Sequence, residues 1–141
     1  MMLVPTYLAP SSIHGIGLFT PFSIPADSII WRFDEEIDWR LTSDQLSAFP
    51  DALQEQLRAW CFEELDGRFV LCGDNAKFMN HSFTPNCWDD HGPITRTCRD
   101  IAPNEELTCD YRLFDAESAR TGLAEWLGAA HGPEPARAGV G

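Results

Sequence analysis

Apolar residues along this chain change rhythm three times. Between residues 1 and 33 they come in short runs broken by Gly, Pro and Asp-Ser, as in PSSIHGIGLFTPFSIPADSIIWRF. That punctuation predicts strands, with Leu18-Phe19 and Ile29-Ile30-Trp31 as candidates and Pro25-Ala26-Asp27 as the turn between them. Between residues 42 and 64 Leu46, Phe49, Leu53, Leu57 and Trp60 fall three or four apart, which lines one helical face. Thr42 with Gln45 fits a capping box. Pro50 predicts a break and should sit in the first turn of a second helix. From residue 65 to 111 short strands return, at Arg68 to Leu71, Ile94 to Cys98 and Glu106 to Cys109. The last is entered through a turn, Ala102-Pro103-Asn104-Glu105. A helix is predicted over 116–127, with Asp115 as cap and Leu123, Trp126 and Leu127 on one side. The Pro- and Gly-rich stretch 131–141 is predicted to be disordered.

Length and composition narrow the class. A chain of 141 residues predicts one domain with its own core. No apolar run approaches the ~18 residues of a membrane span. MMLVPTYLAP lacks the basic region and long apolar stretch of a signal peptide. Five cysteines, none in a C-x-x-C pair, read as reduced thiols and predict a cytoplasmic protein. A formal charge of −12 argues against direct nucleic-acid binding. It favours a basic partner, because an acidic face concentrates cations; solubility alone would also explain it.

Three segments could carry chemistry. His14-Gly15-Ile16-Gly17-Leu18-Phe19 offers a backbone that a ligand can approach, since Gly has no Cβ. It lacks the third glycine and following helix of a dinucleotide fold, and a plain β-turn explains it equally. In FMNHSFTPNC, Phe78 to Cys87, Ser82 beside His81 suggests a nucleophile with its base. Adjacent residues of an extended segment point to opposite faces, however, and no G-x-S-x-G elbow surrounds Ser82. A small hydrolase is therefore a minor reading. His81, Cys87 and His91 match no common zinc spacing. A buried polar turn satisfied by its own backbone is the bland alternative. In the third segment, Glu105 to Tyr111, a strand-end Tyr could lend its hydroxyl to a site or simply pack in the core.

Taken together and in order, S-x-x-G-x-G-L-F at Ser12–Phe19, F-M-N-H-S-x-x-P-N-C at Phe78–Cys87 and E-E-L-T-x-D-Y at Glu105–Tyr111 resemble the SET domain of protein-lysine methyltransferases. The resemblance covers roughly residues 8–115, and the helical stretch at 42–64 falls where that family carries a variable insert. It is similar to a minimal stand-alone SET protein of the bacterial or viral kind. The resemblance implies a mainly β fold of several small curved sheets, a C-terminal pseudoknot and a C-terminal helix. It implies S-adenosylmethionine as cofactor, contacted by the Gly15-Ile16-Gly17 backbone and by Asn80 and His81. Tyr111 matches the family's catalytic tyrosine.

Two departures from the family follow. Phe83 stands where many members place a zinc-binding cysteine, and no cysteine follows Cys109, so no metal is expected. A helix at 116–130 is then the candidate for closing the site, with Phe114 or Trp126 over the adenine ring, or in the core. Cys109 occupies a position where the family often carries Phe or Tyr. Its small size predicts room for di- or trimethylation. The expected partner is a basic protein or peptide containing lysine, with no membrane involved and a homodimer helping to shape the groove. The alternative is a catalytically weak SET-like module that binds cofactor or protein partners.

Overall fold

The computed structural model describes residues 1–89 and 93–121. Ten strands are described: β1 (Tyr7–Pro10), β2 (Ile16–Phe19), β3 (Ile29–Arg32), β4 (Trp39–Leu41), β5 (Phe62–Glu63), β6 (Phe69–Leu71), β7 (Asn80–His81), β8 (Cys87–Asp89), β9 (Ile94–Thr97) and β10 (Glu106–Cys109). The described helices are α1 (Ser43–Ser47), α2 (Asp51–Trp60) and α3 (Ala116–Thr121), with single 3-10 turns at Asn75–Phe78 and Tyr111–Leu113.

The strands form three small sheets, ordered β1-β2-β10-β7, β3-β9-β8 and β4-β6-β5. The first places the candidate chemistry. β2 pairs antiparallel with β10, setting Leu18 against Leu107, both fully buried. β10 then pairs in parallel with β7, setting Thr108 beside Asn80 and Cys109 beside His81. One core gathers between the sheets from Leu18, Ile30, Met79, Ile101 and Leu107. Burying each such side chain stabilises by about 1.5–3 kcal/mol. The turns entering β3 and β10 each carry a left-handed residue, Asp27 (φ 60°) and Asn104 (φ 62°). Asp and Asn tolerate that conformation better than other side chains with a Cβ.

The helical insert differs from its periodicity at both ends. Thr42 and Gln45 form the capping box in both directions. Pro50 is the N-cap of α2 rather than a residue of its first turn, with ψ 146°. α2 stops at Trp60 because Cys61 turns extended and feeds β5, which pairs with β6. The helical reading over 61–64 is therefore corrected by sheet pairing. Leu46 and Leu57 pack with Leu41 and Cys61, with Phe49 against them, but Leu53 is 39% exposed. Asp115 caps α3 as expected, accepting from Ser118 N at 3.2 Å. Residues 122–127 of the expected helix, with Leu123, Trp126 and Leu127, lie outside the described residues, as does the tail at 131–141.

Candidate active site

The three sequence segments converge through side-chain bonds to backbone. Ser11 N–H donates to the Gly15 carbonyl at 2.8 Å, closing the loop that leads into β2, and Gly15 takes φ 45°. The Asn80 amide donates to the carbonyls of His14 (3.0 Å) and Ile16 (3.2 Å), and to Glu106 Oε1 (2.9 Å). Ser11 Oγ donates to the same carboxylate at 2.8 Å. Gly17 must be glycine here: a Cβ would lie 2.2 Å from Glu106 Oε1, and Ser11 and Asn80 hold that oxygen in place. Asn80 thus fastens β7 to the glycine loop across β10. His14 Nε2 in that loop is buried without a hydrogen-bond partner among the described residues.

His81 is 2% exposed, and its Nδ1 accepts from Tyr111 N–H at 3.1 Å. Burial lowers its pKa, Asp110 at 3.8 Å works against that, and Arg112 adds to the lowering. A neutral ring with a bare Nδ1 is what the Tyr111 N–H requires. Asp110 is held below the ordinary carboxylate range chiefly by its hydrogen bond from the Arg112 side chain, at 2.5 Å. It also accepts Arg112 N–H at 3.0 Å, capping the 3-10 turn at Tyr111–Leu113. Phe83 packs edge-on to His81, with ring centroids 4.5 Å apart, and the Arg112 guanidinium lies over the Phe83 ring, 4.8 Å from its centroid.

The Tyr111 hydroxyl donates to the Met79 carbonyl at 2.6 Å. Both residues line a cavity of about 90 Å³, together with Trp31, Phe62, Cys109 and Phe114. Phe114 meets Phe62 edge-on at 5.0 Å and Tyr111 at 5.7 Å. The indole N–H groups of Trp31 and Trp60, both on the cavity wall, are buried without a partner among the described residues.

Of the residues singled out from sequence, the fold brings Gly15, Ile16, Gly17, Asn80, His81, Cys109, Tyr111 and Phe114 into one region. Trp126 and His91 lie outside the described residues. The hydrolase reading loses its geometry: Ser82 Oγ accepts from Thr84 N–H at 3.1 Å, and His81 Nδ1 receives the Tyr111 N–H. Cys87 is fully buried, and burial pushes its thiol up to about 12. Sequence reasoning missed Ser11, Asn86 and Glu106, which organise the site. Asn86 sits in FMNHSFTPNC, but a Pro-Asn pair reads only as a turn. In the fold its carboxamide bonds Thr108 N–H at 2.8 Å and the Glu106 carbonyl at 2.7 Å.

Comparison with known proteins matches the same region. The SET domain family model matches residues 15–112. The chain is 30% identical over 129 aligned positions to a histone-lysine N-methyltransferase, H3 lysine-4 specific, of Chaetomium globosum, covering 83% of this chain and 12% of that protein. A protein of the same description from Neurospora crassa matches at 30% identity, covering 83% and 10%. The chain therefore spans only about a tenth of the length of these relatives. Among solved structures, a candidate histone methyltransferase of Plasmodium falciparum superposes with a TM-score of 0.56 at 18% identity, over 78% of this chain and 95% of that one, a likeness of fold. With two of the three motif segments wholly inside the matched span and the first overlapping it from Gly15 to Phe19, the chain belongs to the SET-domain family.

Proposed function

We propose that this chain is an S-adenosylmethionine-dependent protein-lysine methyltransferase of the cytoplasm, acting on lysine in basic proteins or peptides. The observation that carries the reading is the parallel pairing of β7 with β10, which hands Tyr111 its hydroxyl partner, Met79, beside an aromatic cavity. That pairing also suits a C-terminal pseudoknot, in which the segment after β10 passes close to β7. The glycine loop suits the cofactor: Gly15 exposes a left-handed backbone, and a polar ligand edge would satisfy His14 Nε2. The loop, Asn80 and His81 are assigned to holding it, and Phe114 to covering it, with α3 closing that side. The cofactor, when bound, supplies an electrophilic sulfonium methyl group.

The protein's part is alignment and desolvation. The aromatic walls strip water from the lysine side chain and so favour its neutral amine. Tyr111 donates its own proton to Met79, which leaves the phenol oxygen to act as an acceptor toward an amine N–H or a polarised methyl C–H. It is not assigned as a general base, since a phenol near pKa 10 is a poor one at neutral pH. Cys109, 3% exposed on the cavity wall, is small enough to admit a methylated amine.

Labelling of whole-cell protein with tritiated cofactor, comparing wild type with Tyr111→Phe, tests the reading. Wild type is expected to label lysine-rich proteins, with di- or trimethyl-lysine in the product masses. The variant, which keeps the ring and loses the hydroxyl, is expected to label them at least tenfold more slowly, about the loss of one aligned hydrogen bond to the reacting centre. Equal labelling by the two proteins removes Tyr111 from the mechanism. Cofactor binding without any transfer by wild type would favour the binding-module alternative.

A further inference from the structure

The cavity beside Tyr111 holds a carboxylate that the reading above does not use. Asp89 ends β8, directly opposite Thr95 of β9, and is 7% exposed. Its Oδ1 accepts the Thr95 hydroxyl in a short bond. Among the described residues Oδ2 has no hydrogen-bond partner, and no Lys, Arg or His forms a salt bridge with Asp89. Burial pushes its carboxyl up to about 6, with the Thr95 bond acting in the opposite direction, so it is ionised at neutral pH.

Among the described residues, no other charged group lining the cavity forms an ion pair with Asp89. Arg40 bonds Glu64 at 3.1 Å and lies 3.7 Å over the Phe33 ring. Lys77 sits 5.1 Å over the Trp60 ring. The Cys72 thiol is pushed far up by burial and stays neutral. Cys109 and Tyr111 complete the titratable lining. A buried carboxylate without a counter-ion is costly, and a cation entering the cavity would relieve that cost.

We propose that Asp89 receives the ammonium head of the substrate, a primary alkylammonium whose methylene stem lies along the aromatic walls. The identity of that amine as a lysine rests on the methyl-transfer reading. The same carboxylate is then at hand as a proton acceptor. One N–H bond breaks with its electron pair left on nitrogen, and an O–H bond forms on Asp89. A neutral amine remains beside a neutral acid, an exchange that desolvation of both charges favours.

The test uses n-butylammonium and its uncharged counterpart n-butanol, titrated into the whole chain and followed by tryptophan fluorescence, since Trp31 and Trp60 line the cavity. In Asp89→Asn the Thr95 acceptor and the side-chain size are kept, and the charge is lost. Butylammonium is expected to bind wild type at least tenfold more tightly than the variant, while butanol binds both equally. In wild type that preference is expected to fade as pH falls from about 7.5 to about 5, where the carboxylate takes a proton. Equal binding to both proteins, no binding at all, or affinity in wild type that ignores pH overturns the proposal. The pH arm needs no variant, so a variant that fails to fold leaves the question decided. Methyl transfer to a lysine-rich protein mixture is measured alongside. Absence of transfer with the butylammonium preference intact sinks the methyltransferase reading alone. Transfer without the preference sinks the role of Asp89 alone.

Discussion

Because burial raises the Asp89 carboxyl from 3.8 to about 6, the folded chain holds a proton there over a range in which the unfolded chain has released it. Stability contributed by that proton is complete below the lower value and is lost as pH rises through the upper one. Removing the ionisable group removes the loss. Asp89→Asn is expected to be more stable than wild type at neutral pH, by up to about 3 kcal/mol, and equally stable below about pH 4. Urea unfolding across this range measures it, and coincident midpoints at neutral pH would mean that the folded carboxylate remains well solvated. Nothing in Cys87-Trp88-Asp89 announces this residue. Its burial comes from the register of β8 on β9, which brings Thr95 opposite, and register is set by pairing across the sheet. Asn80 and His81 were legible because two polar residues stand within an apolar frame. Glu106 was not, because an acidic residue next to a turn reads as solvent-facing until Ser11 and Asn80 are seen to bond it.

Among the elements, the segment between β7 and β8 is tied to β10 at its start by the Ser82 N–H on the Cys109 carbonyl at 2.9 Å and at its end by Asn86. Asn86 accepts from Thr108 N–H and donates to the Glu106 carbonyl, continuing a ladder that its own backbone does not supply. In Asn86→Ala both backbone groups lose their partners inside the protein. The cost is expected to be about 2–4 kcal/mol, seen as a lower unfolding midpoint, because two buried polar groups are left unsatisfied. A change below about 0.5 kcal/mol would mean that water replaces the carboxamide. The capping box at Thr42, the break at Pro50 and the turns at Asp27 and Asn104 were readable because each depends on a few adjacent residues. The end of α2 was not readable, since Cys61 to Glu63 leave the helix to pair with a strand further on. Nor was the parallel pairing of β7 with β10, which joins segments far apart in the chain and has no local signature.

For the whole molecule, the formal charge of −12 gives a long-range attraction for cations that no single contact supplies. In the methyltransferase reading, added salt is expected to raise KM for a lysine-rich peptide several-fold and leave kcat nearly unchanged, because screening acts on encounter and not on the desolvated cavity. Steady-state kinetics over a salt series measures this, and a KM that does not respond would make the acidic surface a matter of solubility alone. The fold class followed from three motifs in order, none of which is distinctive by itself. The middle position of β10 carries one more consequence, which concerns time. β10 lies between β2 and β7 and pairs with strands formed much earlier in the chain. Closing such long loops is slow, and non-local parallel pairing slower still. The glycine loop and Asn80-His81 can be synthesised and partly folded while Tyr111 is still missing from between them. The site is complete only when β10 has docked between them, and a local opening of β10 would dismantle it while the other two sheets stay paired.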